Sequence, residues 1–179
     1  GLYVDNIPYI DKSAFDFNYS DIERIDVLRG PQGTLYGRNA MGGLIKVHTK
    51  SPFSYQGTDF RIGAGTHNQY NTSVTHYHRM NERFAFSAGG FYEYEGGFFR
   101  NAALNNKKVD KGQSAGGRIR AIYLPRDNWK LDFNVSYEYG DQGGYPYGLY
   151  NKETGDVAKT AYNDESSYYR NLLNAGLNV

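Results

Sequence analysis

The sequence predicts a mainly β protein, and three observations carry that prediction. Aromatic residues make up 16% of the 179 residues, with 18 Tyr and 10 Phe against one Trp, and Tyr and Phe favour strands. Beyond Pro52, segments of about ten residues alternate between apolar and polar side chains, as strands with two different faces do. Short and long polar connections alternate between these segments. Together these features predict antiparallel strands, each connected to the next by a turn or a loop.

Composition excludes several classes of protein. The net charge is +1 and the charged residues form no block, so we expect no nucleic-acid partner. The chain has no Cys, which excludes a disulfide scaffold and a cysteine-ligated metal site. No apolar run is long enough for a transmembrane helix, although barrel strands cross a membrane without such runs. The chain starts at Gly1 without Met or a signal peptide, which favours a processed or truncated piece.

The segment from Trp129 to Tyr139 shows the alternation most clearly. The apolar positions are Trp129, Leu131, Phe133, Val135, Tyr137 and Tyr139, and the polar ones are Lys130, Asp132, Asn134, Ser136 and Glu138. A period of two over this length predicts a strand with two chemically different faces. The pattern recurs over residues 84–95, 118–123 and 173–179, and more weakly over 60–64 and 70–78.

The connections between these segments differ in length on the two sides. Residues 79–82 and 125–128 are short turns, whereas 96–113 and 141–166 are long and polar. This asymmetry is typical of an outer-membrane barrel, and four tyrosines at the long-loop ends suit its interfacial girdle. They are Tyr92, Tyr94, Tyr137 and Tyr139. About six strands are predicted, too few to close such a barrel, so the predicted transmembrane β-barrel is incomplete.

The region before Pro52 has a different character. Asp5 and Asn6 form a turn pair between two short apolar runs. Ser20 and Asp21 are predicted to cap a helical turn over residues 22–25. A short strand over 26–30 and a partner over 43–50 then enclose a glycine-rich loop, in which glycine permits tight turns and close backbone approach.

These residues resemble the plug domain of TonB-dependent outer-membrane receptors. The resemblance lies in residues 21–31, which read DIERIDVLRGP, in 33–37, which read GTLYG, and in 40–43, which read AMGG. Residues 4–9 resemble the preceding plug strand and turn, and residues 45–50 resemble the strand that leaves the plug for the barrel.

The resemblance implies a domain organisation and a function. Residues 1–52 would be the C-terminal part of the plug, and residues 53–179 the first six or so strands of a barrel of about 22 strands. The family implies a receptor in the bacterial outer membrane that takes up a scarce ligand, most often a ferric siderophore and otherwise haem, cobalamin or a glycan. Its partners would be TonB, through a plug segment missing from this chain, and outer-membrane lipid. No enzymatic activity, cofactor or metal is expected.

The resemblance also implies site residues. Arg29 would lie buried and pair with barrel glutamates, because a buried guanidinium needs carboxylate partners. The predicted plug-motif and plug–barrel contact residues are Glu23, Arg24, Arg29, Gly30, Pro31, Gly33, Tyr36, Gly37, Gly42 and Gly43. The lumen-facing glutamates are expected to be Glu93, Glu95 and Glu138. The candidate ligand contacts are Arg38, Asn39, Tyr145, Tyr147 and Tyr150, whose tyrosines join apolar area to a polar tip.

Other interpretations of these features stay open at this point. The glycine-rich loop lacks the Gly-Lys-Ser/Thr ending of a phosphate-binding loop. His76 and His78 share a strand face at a metal-compatible spacing but have no third ligand nearby in sequence. Glu93 and Glu95 could be a glycosidase pair, although same-face carboxylates are more often a solvated wall.

A soluble β-rich binding or adhesion module is the alternative to a receptor. It predicts that the apolar strand faces form a covered core, whereas a barrel predicts that they face lipid. The residues that distinguish the two are Phe84, Phe86, Leu131, Phe133 and Val135.

Overall fold

The computed structural model describes residues 1–9, 20–31, 33, 42–101, 104–105, 108–144, 148–161 and 167–179. Strand is the dominant secondary structure over these residues, which confirms the mainly β prediction. Within the described residues, no helix has the length and apolar character needed to cross a membrane.

The N-terminal sheet has four strands: β1 (Leu2–Val4), β2 (Ile7–Tyr9), β3 (Ile22–Arg29) and β4 (Gly43–Thr49). Their order in space is β2-β1-β4-β3. β1 runs parallel to β4, and the other two pairs are antiparallel.

The predicted helical turn over residues 22–25 is wrong. β3 begins at Ile22 and pairs with β4, which places Ile25 opposite Val47. The carboxylate of Asp21 accepts a hydrogen bond from Arg118 instead of serving a helix start. Pairing with a distant strand therefore overrides the local capping signal.

The remaining strands are β5 (Gly57–Gly65), β6 (Gln69–Arg79), β7 (Phe84–Glu95), β8 (Arg100–Asn101), β9 (Gly112–Arg126), β10 (Trp129–Gly143), β11 (Gly148–Tyr150), β12 (Val157–Ala161) and β13 (Ser167–Asn178). Six of them form one antiparallel sheet in the order β13-β10-β9-β7-β6-β5. This six-stranded sheet is open, with β13 and β5 at its edges.

Two parts of this sheet differ from the sequence prediction. The weakest predicted strand, over 70–78, is an 11-residue strand. β10 continues to Gly143, and the segment 141–166, predicted as a loop, also contains β11 and β12. These two strands form a small third sheet with β8. Backbone pairing between loops was invisible in the local side-chain pattern.

The two faces of the six-stranded sheet have opposite chemistry. Large apolar side chains on the outer face are exposed, among them Phe60, Ile62, Phe133, Leu173 and Leu177. Polar side chains on the inner face are buried, among them Ser73, Thr75, Ser87, Arg120, Asp132, Asn134 and Glu138. A wall that is apolar outside and polar inside suits a barrel in lipid, and the predicted alternation is confirmed.

The N-terminal sheet packs on this inner face. Its buried cluster consists of Leu2, Val4, Tyr9 and Val47, with Ile22 and Leu172 partly buried around it. Leu172 belongs to β13, so the cluster joins the two sheets. The polar contacts between the sheets surround this apolar cluster and define the candidate site.

Candidate functional site

The turn between β1 and β2 carries the central contact between the two sheets. Asp5 and Asn6 have φ angles of 47° and 66°, a left-handed geometry that Asp and Asn tolerate and that tight hairpin turns require. The Asp5 carboxylate is buried and accepts hydrogen bonds from the Thr49 amide (3.0 Å) and hydroxyl (2.6 Å). Asn134 of β10 donates a further bond to it (3.1 Å).

Arg120 of β9 completes this cluster from the barrel side. Its Nη1 lies 3.1 Å from Asp5 Oδ1 and donates to the Thr49 hydroxyl (2.8 Å). Its Nε and Nη2 donate to the two oxygens of Asp132 at 3.0 and 2.8 Å. Lys130 contacts the same carboxylate at 3.0 Å. Two carboxylates and two cations therefore balance, as a buried ionic group requires. We call Asp5, Thr49, Arg120, Asp132 and Asn134 the Asp5 network.

A second ion pair joins the sheets near the start of β3. Arg118 Nη1 donates to both oxygens of Asp21 at 3.0 Å, and both side chains are largely buried. Arg118 and Arg120 lie two residues apart in β9, so both point to the inner face. The barrel wall therefore offers two cations to two carboxylates of the N-terminal sheet.

The β1–β2 hairpin also touches β13. The Asn178 amide donates to the backbone carbonyl of Asp5 at 2.8 Å. Ile7 packs so closely on Gly176 that a Cβ at Gly176 would lie 2.6 Å from two Ile7 carbons. Gly176 therefore leaves the space in which the Ile7 side chain sits.

A cleft open to solvent lies between the sheets beside the Asp21–Arg118 pair. Hydroxyl side chains line it, including Ser87, Ser136 and Thr75. The Arg118 Nε is buried there without a hydrogen-bond partner among the described residues. The Arg118 Nε therefore leaves a hydrogen-bonding position that a water molecule can fill.

The junction between β4 and β5 is fixed by Lys50. Its ammonium lies 2.5 Å from Asp59 and 4.2 Å from the centre of the Tyr55 ring, a cation–π geometry. The Tyr55 hydroxyl donates to the same Asp59 carboxylate, and this hydrogen bond raises the pKa of Tyr55. Pro52 is buried. The N-terminal sheet is thus attached to the wall at its C-terminal end as well.

The predicted charged motif residues lie elsewhere. Glu23, Arg24 and Arg29 are exposed in β3. Arg24 Nε contacts Asp26 at 3.3 Å, and His48 Nε2 lies 2.9 Å from the same carboxylate. Burial raises the pKa of Asp26, but the charge of Arg24 and hydrogen bonds from Arg24 and His48 lower it below its ordinary value. We call Arg24, Asp26 and His48 the Asp26 network.

The predicted partners of Arg29 are not brought to it in this part of the chain. Glu138 faces inward as expected and pairs with Arg170. The Ser114 hydroxyl donates to Glu93 at 3.4 Å. Across the described ranges Arg29 forms no ion pair with either glutamate or with Glu95. Its pairing with glutamates of further strands stays a prediction.

The remaining predicted residues fall into two groups. Gly30 and Gly43 have φ angles of 87° and 147°, and a Cβ at Gly43 would lie 2.8 Å from the Leu28 carbonyl oxygen. Both glycines therefore meet a backbone requirement. A Cβ at Gly33 or Gly42 would meet nothing within 4 Å. Pro31 is exposed just after β3, and Tyr150 is exposed at the end of β11. The residues outside the described part are Tyr36, Gly37, Arg38, Asn39, Tyr145 and Tyr147.

The histidine pair lies on the outer face of β6. The rings of His76 and His78 stack at 6.0 Å, and His76 Nδ1 lies 2.8 Å from the Thr58 hydroxyl. Within the described residues, no group of three potential metal ligands occurs.

Sequence reasoning missed the residues that join the two sheets. The missed residues are Asp5, Asp21, Thr49, Arg118 and Arg120. A signal was present, because Arg118 and Arg120 lie opposite an apolar strand face and buried guanidiniums need carboxylates. This requirement predicts carboxylate partners for Arg118 and Arg120 as well as for Arg29.

Comparison with known proteins follows the same division of the chain. Residues 1–44 match the family described as the TonB-dependent Receptor Plug Domain. The pesticin receptor of Yersinia pestis is 26% identical over 76% of this chain and 20% of its own length. The vitamin B12 transporter BtuB of Vibrio vulnificus is 32% identical over 71% of this chain and 22% of its own length.

Among solved structures, the ferric yersiniabactin uptake receptor FyuA from Yersinia pestis superposes with a TM-score of 0.78. It is 22% identical, and the match covers 98% of this chain and 28% of that one, which shows a shared fold. The chain spans about a fifth of the length of the curated relatives it matches. The plug match, the relatives and the polar-inside wall together show that the chain belongs to the TonB-dependent outer-membrane receptors.

Proposed function

We propose that this chain forms the C-terminal part of the plug, residues 1–52, and the first six strands of the barrel, within residues 53–179, of a receptor that imports a scarce ligand. The Asp5 network carries the proposal, because a turn of the N-terminal sheet is bound by buried charge to the polar face of the six-stranded sheet. A soluble module has no use for such an arrangement beside an exposed apolar outer face.

The proposed mechanism is gated passage without covalent chemistry, and we propose no enzymatic activity for this chain. The plug occludes the lumen, and ligand binds at the external loops and plug apices, where Arg38, Asn39, Tyr145, Tyr147 and Tyr150 are the candidate contacts. TonB then acts on a plug segment before Gly1, and a path opens beside the barrel wall. The cleft at Asp21 and Arg118 lies between plug and wall, where such a path would run.

We propose a ferric siderophore as the ligand class. One relative supports this choice by the substrate in its name, since FyuA takes up ferric yersiniabactin, whereas BtuB takes up vitamin B12. Cobalamin is therefore the competitor that the experiment must separate.

The test is uptake by the full-length receptor in cells that lack their own siderophore receptors. We expect accumulation of radiolabelled iron from a panel of ferric siderophores, and we expect accumulation to stop in an isogenic strain without TonB. Labelled cobalamin is the parallel substrate. Uptake of cobalamin alone would overturn the siderophore assignment, and energised uptake of neither would overturn the receptor proposal. A receptor recovered from the soluble fraction would support the binding-module alternative.

A further inference from the structure

We propose that the β1–β2 hairpin, residues 2–9, is a fixed anchor of the plug that stays seated on the barrel wall throughout the transport cycle. This inference rests on the proposed function and adds which part of the plug does not move. Force applied through the chain before Gly1 would then displace the plug only up to β1.

The first support is the way in which Asp5 is held. Its side chain and carbonyl contact three barrel strands, through Arg120 of β9, Asn134 of β10 and Asn178 of β13. Withdrawing the hairpin would separate Asp5 from Arg120 while Arg120 stays within the wall. Opening such a buried, fully bonded network leaves polar groups without partners, which is strongly unfavourable.

The second support is the close fit between the side chain of Ile7 and the surface of β13 at Gly176. Ile7 occupies the space that the missing side chain of Gly176 leaves on β13. Tyr9 is buried beside it, with its hydroxyl 3.4 Å from Ser136 of β10. Close packing of this kind resists sliding, because side chains cannot pass one another without separating the two surfaces.

The third support is the contrast with β3, at the other edge of the N-terminal sheet. Ile25 and Val27 of β3 are 50% and 63% exposed, whereas Leu2 and Val4 of β1 are 4% and 2% exposed. In the part of the chain that the structure describes, β3 reaches the wall mainly through the adjoining Asp21–Arg118 pair. Among the described residues, the hairpin therefore has the more extensive contact with the wall.

A disulfide between hairpin and wall tests the anchor directly. A Cβ at Gly176 would lie 2.6 Å from Ile7 Cγ1 and 3.2 Å from Cγ2, so the paired variant Ile7→Cys/Gly176→Cys places two Cβ atoms within the range that a disulfide spans. This chain has no other Cys. In the full-length receptor, we expect energised uptake by the oxidised variant to stay within about twofold of its reduced form. Loss of uptake on oxidation, restored by reductant, would overturn the anchor.

Cysteine labelling is the independent measurement and does not depend on disulfide formation. Val4 of the hairpin is the probe, because its side chain is only 2% exposed. We expect maleimide to label Val4→Cys slowly both with and without ligand and an energised membrane. A rise of about tenfold or more in Val4→Cys labelling during transport would show local opening of the hairpin and overturn the proposal.

The two proposals fail in different ways. If neither the wild-type receptor nor the reduced double-cysteine variant takes up any ligand, the proposed function fails. If both transport and only the oxidised variant does not, the function stands and the anchor fails.

Discussion

Two ion networks lie on opposite faces of the same N-terminal sheet. His48 and Thr49 are consecutive in β4, so their side chains point in opposite directions. Thr49 joins the Asp5 network, in which Asp5 and Arg120 are 4% and 7% exposed. His48 joins the Asp26 network, whose Arg24 and Asp26 side chains are 60% and 40% exposed. One strand thus carries a buried network and a hydrated one.

The difference teaches that contact distance alone does not rank these networks. Both contain ion pairs close to 3 Å. Water and salt screen the exposed one, whereas removing one partner from the buried one leaves an uncompensated charge. The buried network should therefore dominate how the plug is held, and substitutions of matched chemistry on the two faces can show this.

The largest effect is expected from Arg120→Met. It leaves the Asp5 and Asp132 carboxylates buried near each other without the guanidinium between them. We expect the free energy of unfolding of the full-length receptor in lipid vesicles to fall by about 3–5 kcal/mol. Chemical denaturation followed by tryptophan fluorescence measures this change.

Arg24→Met is the comparison variant on the opposite face of the N-terminal sheet, which is exposed in this part of the chain. It removes a guanidinium from the exposed pair with Asp26, and such pairs contribute little. Equal losses for Arg24→Met and Arg120→Met would break the comparison between the two networks.

The next effect is expected from Asp21→Asn. The variant keeps an acceptor for Arg118 but removes the charge that neutralises this nearly buried guanidinium. We expect a loss of about 2 kcal/mol in the same denaturation measurement. Glu23→Gln makes the same chemical change at an exposed position two residues away. If both variants lose the same free energy of unfolding, burial on the inner face does not strengthen the contribution of Asp21.

A smaller effect is expected from Gly176→Ala, which adds a methyl group where Ile7 already sits. Overpacking there should cost about 1 kcal/mol, and Ile7→Ala in the same chain should recover part of it by making room. Gly42→Ala is the control, since a Cβ there meets nothing within 4 Å. A double variant no better than the sum of the two single ones would show that Ile7 and Gly176 are not coupled.

The sequence predicted which face of the sheet each strand residue occupies, but it did not predict the contacts between residues distant in the chain. The period-two alternation placed Arg118 and Arg120 on the inner face and Leu173 and Leu177 on the outer one, because strand geometry is local. The pairing of Arg120 with Thr49, or of Asn134 with Asp5, joins residues 71 and 129 positions apart. No local pattern carries such a contact.

The plug motif shows the same limit, because its backbone requirements were easier to predict than its charge contacts. Its glycines were expected to meet backbone demands, and Gly30 and Gly43 do so. Its charges drew attention to Arg29, which is exposed in this part of the chain. The residues that hold the plug are an aspartate in a two-residue turn and a threonine at a strand end, and neither type stands out in a sequence.

The smallest expected effect is the pH dependence of the stability that Asp26 contributes. The pKa of Asp26 is lowered in the folded protein, because the charge of Arg24 and hydrogen bonds from Arg24 and His48 outweigh its partial desolvation. A carboxyl group whose pKa is lower in the folded state stabilises the fold at pH values above its unfolded-state pKa. This contribution disappears as the pH falls through the folded-state pKa. The stability difference between wild type and Asp26→Asn should therefore be small and positive at neutral pH and vanish in acid.

Salt should reduce this stability difference further, because the network is exposed. Denaturation midpoints of the two proteins across this pH range measure the difference. A difference that grows as pH falls would reverse the assigned sign and show that Asp26 is not stabilised in its charged form.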